Sequence, residues 1–285
     1  MSRAGASGGP AARTRATRAV VERFAALHAA GDVAGCRRLL APAVVGQSPW
    51  VASNLELDGY DAVAALLEGT AALWAERRET IAAVGAGPDA GWFESRLQGT
   101  AAASGEPVEL DVVTVLGVDA DGHVTSVRAY GDTTPFGLPA GGSPPLITGP
   151  PAGHGGAAGR PRGATETLIA RYFALVGAGE IDAVLACFEE DGSFQPPPAP
   201  EPFRGAAAIR AFFEGLVPLF AERHEWTTRV VVDGPLALAE LVFEAKRHDG
   251  QWVRFENCNV FRLRGGRFGD VRVYGDAAAM RRQLA

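Results

Sequence analysis

The chain has 285 residues, of which 47% are apolar and 21% are charged. This composition is typical of a globular protein, with enough chain for one large domain or two of ordinary size. The net charge of −6 provides no broad basic surface, so nucleic-acid binding is not expected. Lys246 is the only lysine, and any Schiff-base or P-loop lysine mechanism would depend on that single side chain.

The first 15 residues are rich in Ala, Gly, Ser and Arg. They lack the apolar stretch of a secretory signal, so we predict a disordered tail at 1–15 and a cytoplasmic protein. No uncharged apolar run reaches about 18 residues, so no membrane partner is expected. The three cysteines lie in apolar stretches without a CxxC pair, which indicates buried thiols: Cys36, Cys187 and Cys258.

A segment rich in glycine and proline divides the chain into two parts of near-equal length. Sixteen of the 30 residues at 135–164 are Gly or Pro, so no regular element is expected to run through them. We predict an interdomain linker there, with domains at 16–134 and 165–285.

The two predicted domains are copies of each other. Residues 28–49 align without a gap with residues 176–197, at an offset of 148 that pairs Gly31 with Gly179. VRAYGD at 127–132 and VRVYGD at 271–276 lie 144 residues apart. The shrinking offset indicates short deletions in the second copy, of the kind that loops tolerate.

Both copies show the same order of predicted elements. Helical periodicity predicts a first helix, a short second helix and a third helix, with the first and third at 17–29 and 60–76, then at 165–176 and 206–222. An irregular, proline-containing stretch precedes each third helix. Strand periodicity follows at 81–86, 91–101, 108–118 and 124–130, and in the second copy at 226–232, 236–246, 252–264 and 267–274. Helices against an antiparallel meander make an α+β cone with an apolar cavity inside.

This arrangement resembles the nuclear-transport-factor-2-like (NTF2-like) superfamily, and within it the SnoaL-like group of polyketide cyclases and ketosteroid isomerases. Residues 170–194 are similar to the opening of bacterial ketosteroid isomerases, and residues 275–284 to the ending of SnoaL-type cyclases. The resemblance covers both copies. It implies two tandem NTF2-like cones packed as an intramolecular pseudo-dimer, with the oligomeric state left open and a hydrophobic small molecule as substrate.

The resemblance also implies candidate catalytic residues in the second copy. The oxyanion tyrosine of the isomerases falls on Tyr172, and their neutral, hydrogen-bond-donating acid falls on Asn259. Their proton-shuttling aspartate falls on Pro196, which makes the standard steroid-isomerase mechanism unexpected. The acid/base aspartate of SnoaL-type cyclases matches Asp276. Strand alternation leaves open that Asp276 instead lies on the outer face and caps a terminal helix.

The central strand of the second copy has a polar cavity-facing side. Its inward phase reads Phe255, Asn257, Asn259 and Phe261, where the first copy has only aliphatic residues and Thr114. Burying an unpaired amide costs about 1–3 kcal/mol, so these amides are expected to pair with each other or with a ligand. Three further substrate-binding candidates are Gln195, His224 and Trp226. The first copy has fewer polar groups and is predicted to be a scaffold.

We therefore predict a cofactor-independent cyclase or isomerase that acts by acid/base chemistry on an enolisable, polyketide-like substrate in natural-product biosynthesis. No nucleotide-binding motif and no metal-ligand histidine spacing are present, so neither a cofactor nor a metal is expected. Two alternatives remain open: an epoxide-opening cyclase or hydrolase of the polyether type, and a non-catalytic protein that binds or sequesters an apolar small molecule.

Overall fold

The computed structural model describes residues 9–50, 56–136, 163–197 and 199–284. The chain divides into two compact units, Met1–Ala129 and Tyr130–Ala285. Helices and one six-stranded mixed sheet repeat in the same order along the chain, which confirms the predicted α+β fold in two copies. Among the described helices, none combines the length and apolar character needed to cross a membrane.

The first copy begins with a longer helix than predicted. Helix α1 spans Pro10–Ala29, so residues 10–15 are helical and do not belong to a disordered tail. Pro10 stands at the first helical position, where its missing N–H costs nothing. Gly31, with a φ of 72°, turns the chain after α1. Two shorter helices follow, α2 (Val33–Arg37) and α3 (Tyr60–Ala72).

The sheet of the first copy has two strands that the sequence patterns did not predict. Its strands are β1 (Leu40–Gln47), β2 (Leu57–Asp58), β3 (Trp74–Ala86), β4 (Ala90–Ala101), β5 (Pro107–Val118) and β6 (Val124–Tyr130), in the order β2-β1-β6-β5-β4-β3. The stretch predicted to be irregular contains β1, which pairs in parallel with β6. The predicted antiparallel meander is therefore the larger part of a mixed sheet.

The second copy repeats this plan. Its helices are α4 (Ala164–Ala178), α5 (Ile181–Leu185), α6 (Gly205–Leu216) and α7 (Ala277–Leu284). Its strands are β7 (Phe188–Gln195), β8 (Phe203–Arg204), β9 (Phe220–Asp233), β10 (Leu236–Arg247), β11 (Trp252–Arg264) and β12 (Arg267–Tyr274). Their order is β8-β7-β12-β11-β10-β9, with β7 parallel to β12. Most of the predicted linker, residues 137–162, lies outside the described residues.

The third helix of each copy ends earlier than predicted, and the next strand begins earlier. Helix α3 ends at Ala72 and β3 begins at Trp74; α6 ends at Leu216, and a 3₁₀ turn containing Pro218 leads into β9 at Phe220. Residues 77–79 and 223–225 are consequently strand residues, whose side chains alternate between the two faces of the sheet. This shift determines which side chains face the helices.

One face of the second sheet packs against the helices of its unit. The core includes Phe243 on β10, Phe255 and Phe261 on β11, and helix residues such as Phe213. Burial of each large apolar side chain contributes about 1.5–3 kcal/mol. Phe243 is paired with Phe255 on one side and with Glu225 of β9 on the other. Directly paired residues share a face, so Glu225 lies on the core face of the sheet.

A glycine in the first sheet tests the strand register that positions residues 77–79. Gly99 on β4 pairs with Arg77, next to the irregularity between Trp74 and Glu76, and a Cβ there would collide with the carbonyl oxygen of Glu76. We expect Gly99→Ala to lower the free energy of unfolding by about 1–3 kcal/mol in urea titrations. Gly163→Ala is the control, because its Cβ would meet nothing within 4 Å. Equal stability of the two variants would contradict this register.

Candidate functional site

The core face of the second sheet brings together two of the predicted catalytic residues. Tyr172 of α4 is 2% exposed, and its ring centroid lies 6.1 Å from that of Phe261 and 5.4 Å from that of Phe268. Asn259 is 4% exposed and lies two residues before Phe261 on the same strand face. The predicted pair therefore occupies one buried region, at the aromatic end of the cone.

The two amides of β11 are buried without satisfying their hydrogen-bonding capacity. Oδ1 of Asn257 and Oδ1 of Asn259 each lack a hydrogen-bond partner among the described residues. They pair across β10 with Leu241 and Ala239, on the face that also carries Phe255. An unsatisfied buried carbonyl costs about 1–3 kcal/mol, and a ligand with a donor group would recover that cost.

Glu225 is a third polar group on this face, and the sequence prediction missed it. No hydrogen bond or ion pair joins its carboxyl group to a described residue. Burial raises the pKa of Glu225 to about 8, although the positive charge of Arg223 partly opposes the shift. The residue as a whole is partly exposed, and β9 is an edge strand of the sheet. An unpaired carboxyl group in such a place is a candidate proton carrier.

Tyr172 and Glu225 are close enough to influence each other electrostatically. Burial raises the pKa of Tyr172 well above its ordinary value, and the charges of Glu225 and Cys187 raise it further. The phenol therefore keeps its proton over the physiological range and can donate a hydrogen bond.

Arg223 is not the ion-pair partner of Glu225. Its guanidinium donates to the carbonyl oxygen of Val217 and, at 3.5 Å, to that of Gly177 near the end of α4. Burial lowers the pKa of Arg223. The arginine thus ties β9 to neighbouring helix ends, where free carbonyl groups need donors.

The first unit has the same Arg-x-Glu pattern at the equivalent place on β3, with a different outcome. Nδ1 of His28 on α1 lies 2.8 Å from Oε2 of Glu79, and Arg77 lies 3.6 Å from the same oxygen. Arg77 also donates to the backbone carbonyl of His28. Burial alone would raise the pKa of Glu79, but the hydrogen bond and charge of His28, with help from Ser95 and Arg77, lower it overall.

One aligned position separates the two outcomes. His28 corresponds to Val176 in the gapless alignment of the copies, and Val176 is a core residue only 4% exposed. Glu79 therefore has a hydrogen-bonding imidazole beside it and a lowered pKa, whereas the aligned helix position of the second unit holds an aliphatic side chain and the pKa of Glu225 is raised. Strand β3 thus adds Arg77 and Glu79 to the core face of the first unit, as β9 adds Arg223 and Glu225 to that of the second.

Asp276, the third predicted catalytic residue, immediately precedes helix α7. Its Oδ1 accepts hydrogen bonds from the backbone N–H groups of Ala278 and Ala279, at 3.0 and 3.3 Å, and from the Thr133 hydroxyl at 2.8 Å. These are the contacts of a helix N-cap. Val271 and Val273 contact the core, as strand alternation predicted. This geometry gives no support to a proton-transfer role for Asp276.

The remaining candidates differ in where their side chains lie. Phe255 and Phe261 are core residues, and Phe255 stacks on Phe243 with centroids 5.9 Å apart. Gln195 donates to the carbonyl groups of Ala199 and Pro200, so it braces the loop after β7.

His224 and Trp226 lie on the face of the sheet opposite the core. They pair with Glu244 and Val242, one residue out of phase with Phe243. Trp226 donates from Nε1 to Oε2 of Glu244 at 3.0 Å, and the His224 ring stacks on the indole. Both were predicted to bind substrate, and His224 was expected at the cavity edge after a helix that extends to residue 222. The earlier start of β9 reverses their side of the sheet.

Two smaller predictions concern the cysteines and metals. All three cysteines are buried, in agreement with the sequence. Within the described ranges, no three His, Cys, Asp or Glu side chains cluster as metal ligands.

The chain was compared with known families and solved structures. A family model described as a SnoaL-like domain matches residues 21–127 and again residues 169–271. An NTF2-like protein of unknown function from Burkholderia pseudomallei is 16% identical over 43% of this chain and 98% of its own, with a TM-score of 0.41. An LEH-like epoxide hydrolase from M. tuberculosis is 19% identical over 42% and 89%, with a TM-score of 0.38.

A third similar structure is that of SalBIII, an epoxide hydrolase/cyclase-like enzyme in pyran ring formation in the polyether salinomycin. It is 23% identical over 40% of this chain and 92% of its own, with a TM-score of 0.37. Each of these structures covers less than half of the chain. At such identities the likeness concerns the fold alone.

The opposite protonation of the two glutamates predicts opposite effects on stability. The folded-state pKa of Glu225 is raised, so its contribution is complete below pH 4.5 and is lost as the pH rises to about 8. We expect Glu225→Gln to raise the free energy of unfolding at pH 8.5 by about 1–3 kcal/mol, and to change it much less at pH 5.

The pKa of Glu79 is lowered, so its contribution is present above pH 4.5 and is lost as the pH falls. Glu79→Gln should therefore destabilise the protein at pH 8.5, by about 1–3 kcal/mol. Urea titrations at both pH values provide the measurement. Glu222→Gln and Glu76→Gln are matched controls on the same strands, because both residues are exposed. Shifts of the same sign for the two core-face variants would rule out this assignment.

Proposed function

The chain belongs to the SnoaL-like domain family, and from that premise we propose that its second unit is a cofactor-independent acid/base catalyst for a hydrophobic, enolisable carbonyl compound. One observation carries the proposal: Glu225, whose carboxyl group makes no hydrogen bond to a described residue and whose pKa is raised by burial, shares the core face with Tyr172 and Asn259. A polyketide-like molecule has the required chemistry, since its carbonyl groups acidify the carbon atoms between them.

In the proposed mechanism, the substrate carbonyl oxygen accepts hydrogen bonds from the Tyr172 hydroxyl and the Asn259 amide. The carboxylate of Glu225 removes a proton from the neighbouring carbon, and the two donors stabilise the enolate oxygen that forms. Return of the proton to a different carbon completes an isomerisation. In a cyclisation, the enolate carbon attacks a second carbonyl group, and Glu225 gives its proton to the new alkoxide.

The environment of Glu225 suits this task. A carboxylate with a pKa of about 8 is a stronger base than an ordinary glutamate, while a useful fraction is still ionised near neutral pH. Tyr172 keeps its proton because its own pKa is raised, so it remains the hydrogen-bond donor while Glu225 acts as the base. The apolar surroundings also strengthen each hydrogen bond to the developing charge. This assignment gives Glu225 the proton-transfer role that the sequence predicted for Asp276.

Epoxide opening is a second candidate, favoured by the same raised pKa. At pH 7 most of Glu225 is protonated and can donate to an epoxide oxygen as the ring opens. The unpaired Oδ1 atoms of Asn257 and Asn259 are acceptors for a hydroxyl or water nucleophile. The two reactions need opposite forms of Glu225: enolisation needs the carboxylate, and epoxide opening needs the acid.

The first test follows deuterium exchange at the carbon next to the carbonyl group of 2-tetralone, an apolar ketone, by proton NMR in D2O. We expect the wild-type rate to rise as the pH increases through about 8, because Glu225 acts after losing its proton. Glu225→Gln should reduce the catalysed rate by about 100-fold while ketone binding persists. Glu222→Gln is the control, since its side chain is 51% exposed on the same strand.

The second test measures hydrolysis of styrene oxide by the same variants. Acid-driven opening should fall as the pH rises through about 8, the reverse of the exchange profile. The sign of the pH dependence therefore separates the two reactions. If both probes bind but neither reacts faster than with Glu225→Gln, catalysis by this group is contradicted, and a non-catalytic binding protein becomes the preferred function.

A further inference from the structure

We propose that the first unit holds a second, chemically distinct site, in which His28, oriented by Glu79, accepts a proton from an apolar ligand with an acidic C–H or O–H group. The proposal is independent of the function assigned to the second unit, because it rests on different residues in a different core.

The dyad has the geometry of an oriented base. Because Glu79 stays ionised, its Oε2 accepts the Nδ1–H of His28 across 2.8 Å. The other ring nitrogen, Nε2, is then the proton acceptor, and it makes no hydrogen bond to a described residue. The His28 side chain is 19% exposed, whereas that of Glu79 is 1% exposed. Glu79 is thus a buried positioning residue, and His28 is the group that a ligand can reach.

Unsatisfied polar atoms mark the same region. Oε1 of Glu79 and Oγ of Ser95 are both buried and make no hydrogen bond within 3.5 Å to a described residue, although Ser95 is close enough to help lower the pKa of Glu79. Ser95 pairs with Ile81 and lies on the face of the sheet that carries Glu79. Each such atom costs about 1–3 kcal/mol unless a donor or acceptor reaches it. A ligand with a hydroxyl group could satisfy either atom.

The walls around the dyad are apolar. The His28 ring lies against Phe24 and Phe93, with centroids 6.2 and 5.9 Å away, and both phenylalanines are fully buried. The charge of Glu79 is balanced by Arg77 at 3.6 Å. The surroundings therefore favour an uncharged, hydrophobic ligand over an ionic one.

A purely structural role does not account for His28. Arg77 already ties the end of α1 to β3 through the His28 backbone carbonyl. In the second unit Arg223 donates to the carbonyl oxygen of Gly177, the residue after Val176, which stands at the position aligned with His28. The fold therefore forms without an imidazole at this point. The histidine adds a proton acceptor that the other unit lacks.

The probe is 5-nitrobenzisoxazole, an apolar aromatic C–H acid. In its elimination, Nε2 of His28 takes the C3 proton, the C–H electron pair forms the nitrile, and the N–O bond breaks. The oxygen leaves as a coloured phenolate, so no other reactant is needed. All variants carry Glu225→Gln, which removes the other candidate proton carrier from the assay.

We expect His28→Val, which installs the residue of the second unit, to lower the catalysed rate by about 100-fold. Glu79→Gln should lower kcat with little change in KM, because the imidazole loses the carboxylate that orients its ring. His123→Gln is the matched control: its side chain is 51% exposed and lies far along the chain in a hairpin turn. Circular dichroism of each variant verifies that the protein is folded.

Two results would overturn the proposal. One is an equal rate for folded His28→Val and its parent, which would show that the imidazole is not the base. The other is the absence of any probe-induced change in the NMR signals of a His28-labelled protein, which would show that no apolar ligand reaches the dyad. A lower kcat at an unchanged KM in folded Glu79→Gln supports the positioning role, since a side chain that only stabilises the fold would leave kcat in place.

Discussion

A carboxylate placed on the apolar face of a sheet needs a partner or must keep its proton, and this constraint organises both units. Glu79 and Glu225 occupy equivalent positions on edge strands and face equivalent cores. The first has His28 at 2.8 Å and a lowered pKa; the second has Val176 at the aligned helix position and a pKa of about 8. A single aligned side chain on the first helix thereby distinguishes a glutamate with a lowered pKa in one unit from a glutamate with a raised pKa in the other.

The scaffold around these groups is common to both units. Arg77 and Arg223 each join a strand to the end of the first helix of their unit. The position of that helix is therefore fixed whether the aligned residue is histidine or valine. Gly31 and Gly179, with φ values of 72° and 75°, end that helix at the same point. Because the packing is shared, divergence is confined to side chains that line the core, and one fold can hold two different chemistries.

Much of the fold follows from the sequence because it depends on patterns that repeat. The repeat, the element order and the long strands β5, β6, β11 and β12 were predicted from periodicity within a residue or two of their observed ends. Tyr172 and Asn259 were placed correctly on the core face through the family resemblance. Strands β1 and β7 were not predicted. Each pairs in parallel with a strand distant in sequence, and such strands show no clear local alternation of apolar and polar residues.

The site was less predictable because it depends on one helix boundary. Residues 222–225 carry helix-compatible charges, and only the turn at Pro218 shows that β9 has begun. Because the strand was predicted to start at residue 226, Glu225 fell between the predicted helix and the predicted strand, and His224 was assigned to the wrong face of the sheet. For Asp276 the sequence left two roles open, proton transfer by the family motif and a helix cap, and its hydrogen bonds match the cap.

The most direct measurement is the pKa of Glu225 itself, followed by carbon-13 NMR of the side-chain carboxyl group in the wild type and in Val176→His. The account predicts a value of about 8 in the wild type and a value below 4.5 once histidine stands opposite, as it does for Glu79. A pKa of about 8 that persists in folded Val176→His, or an ordinary value in both proteins, would contradict the claim that this position sets the chemistry of each unit.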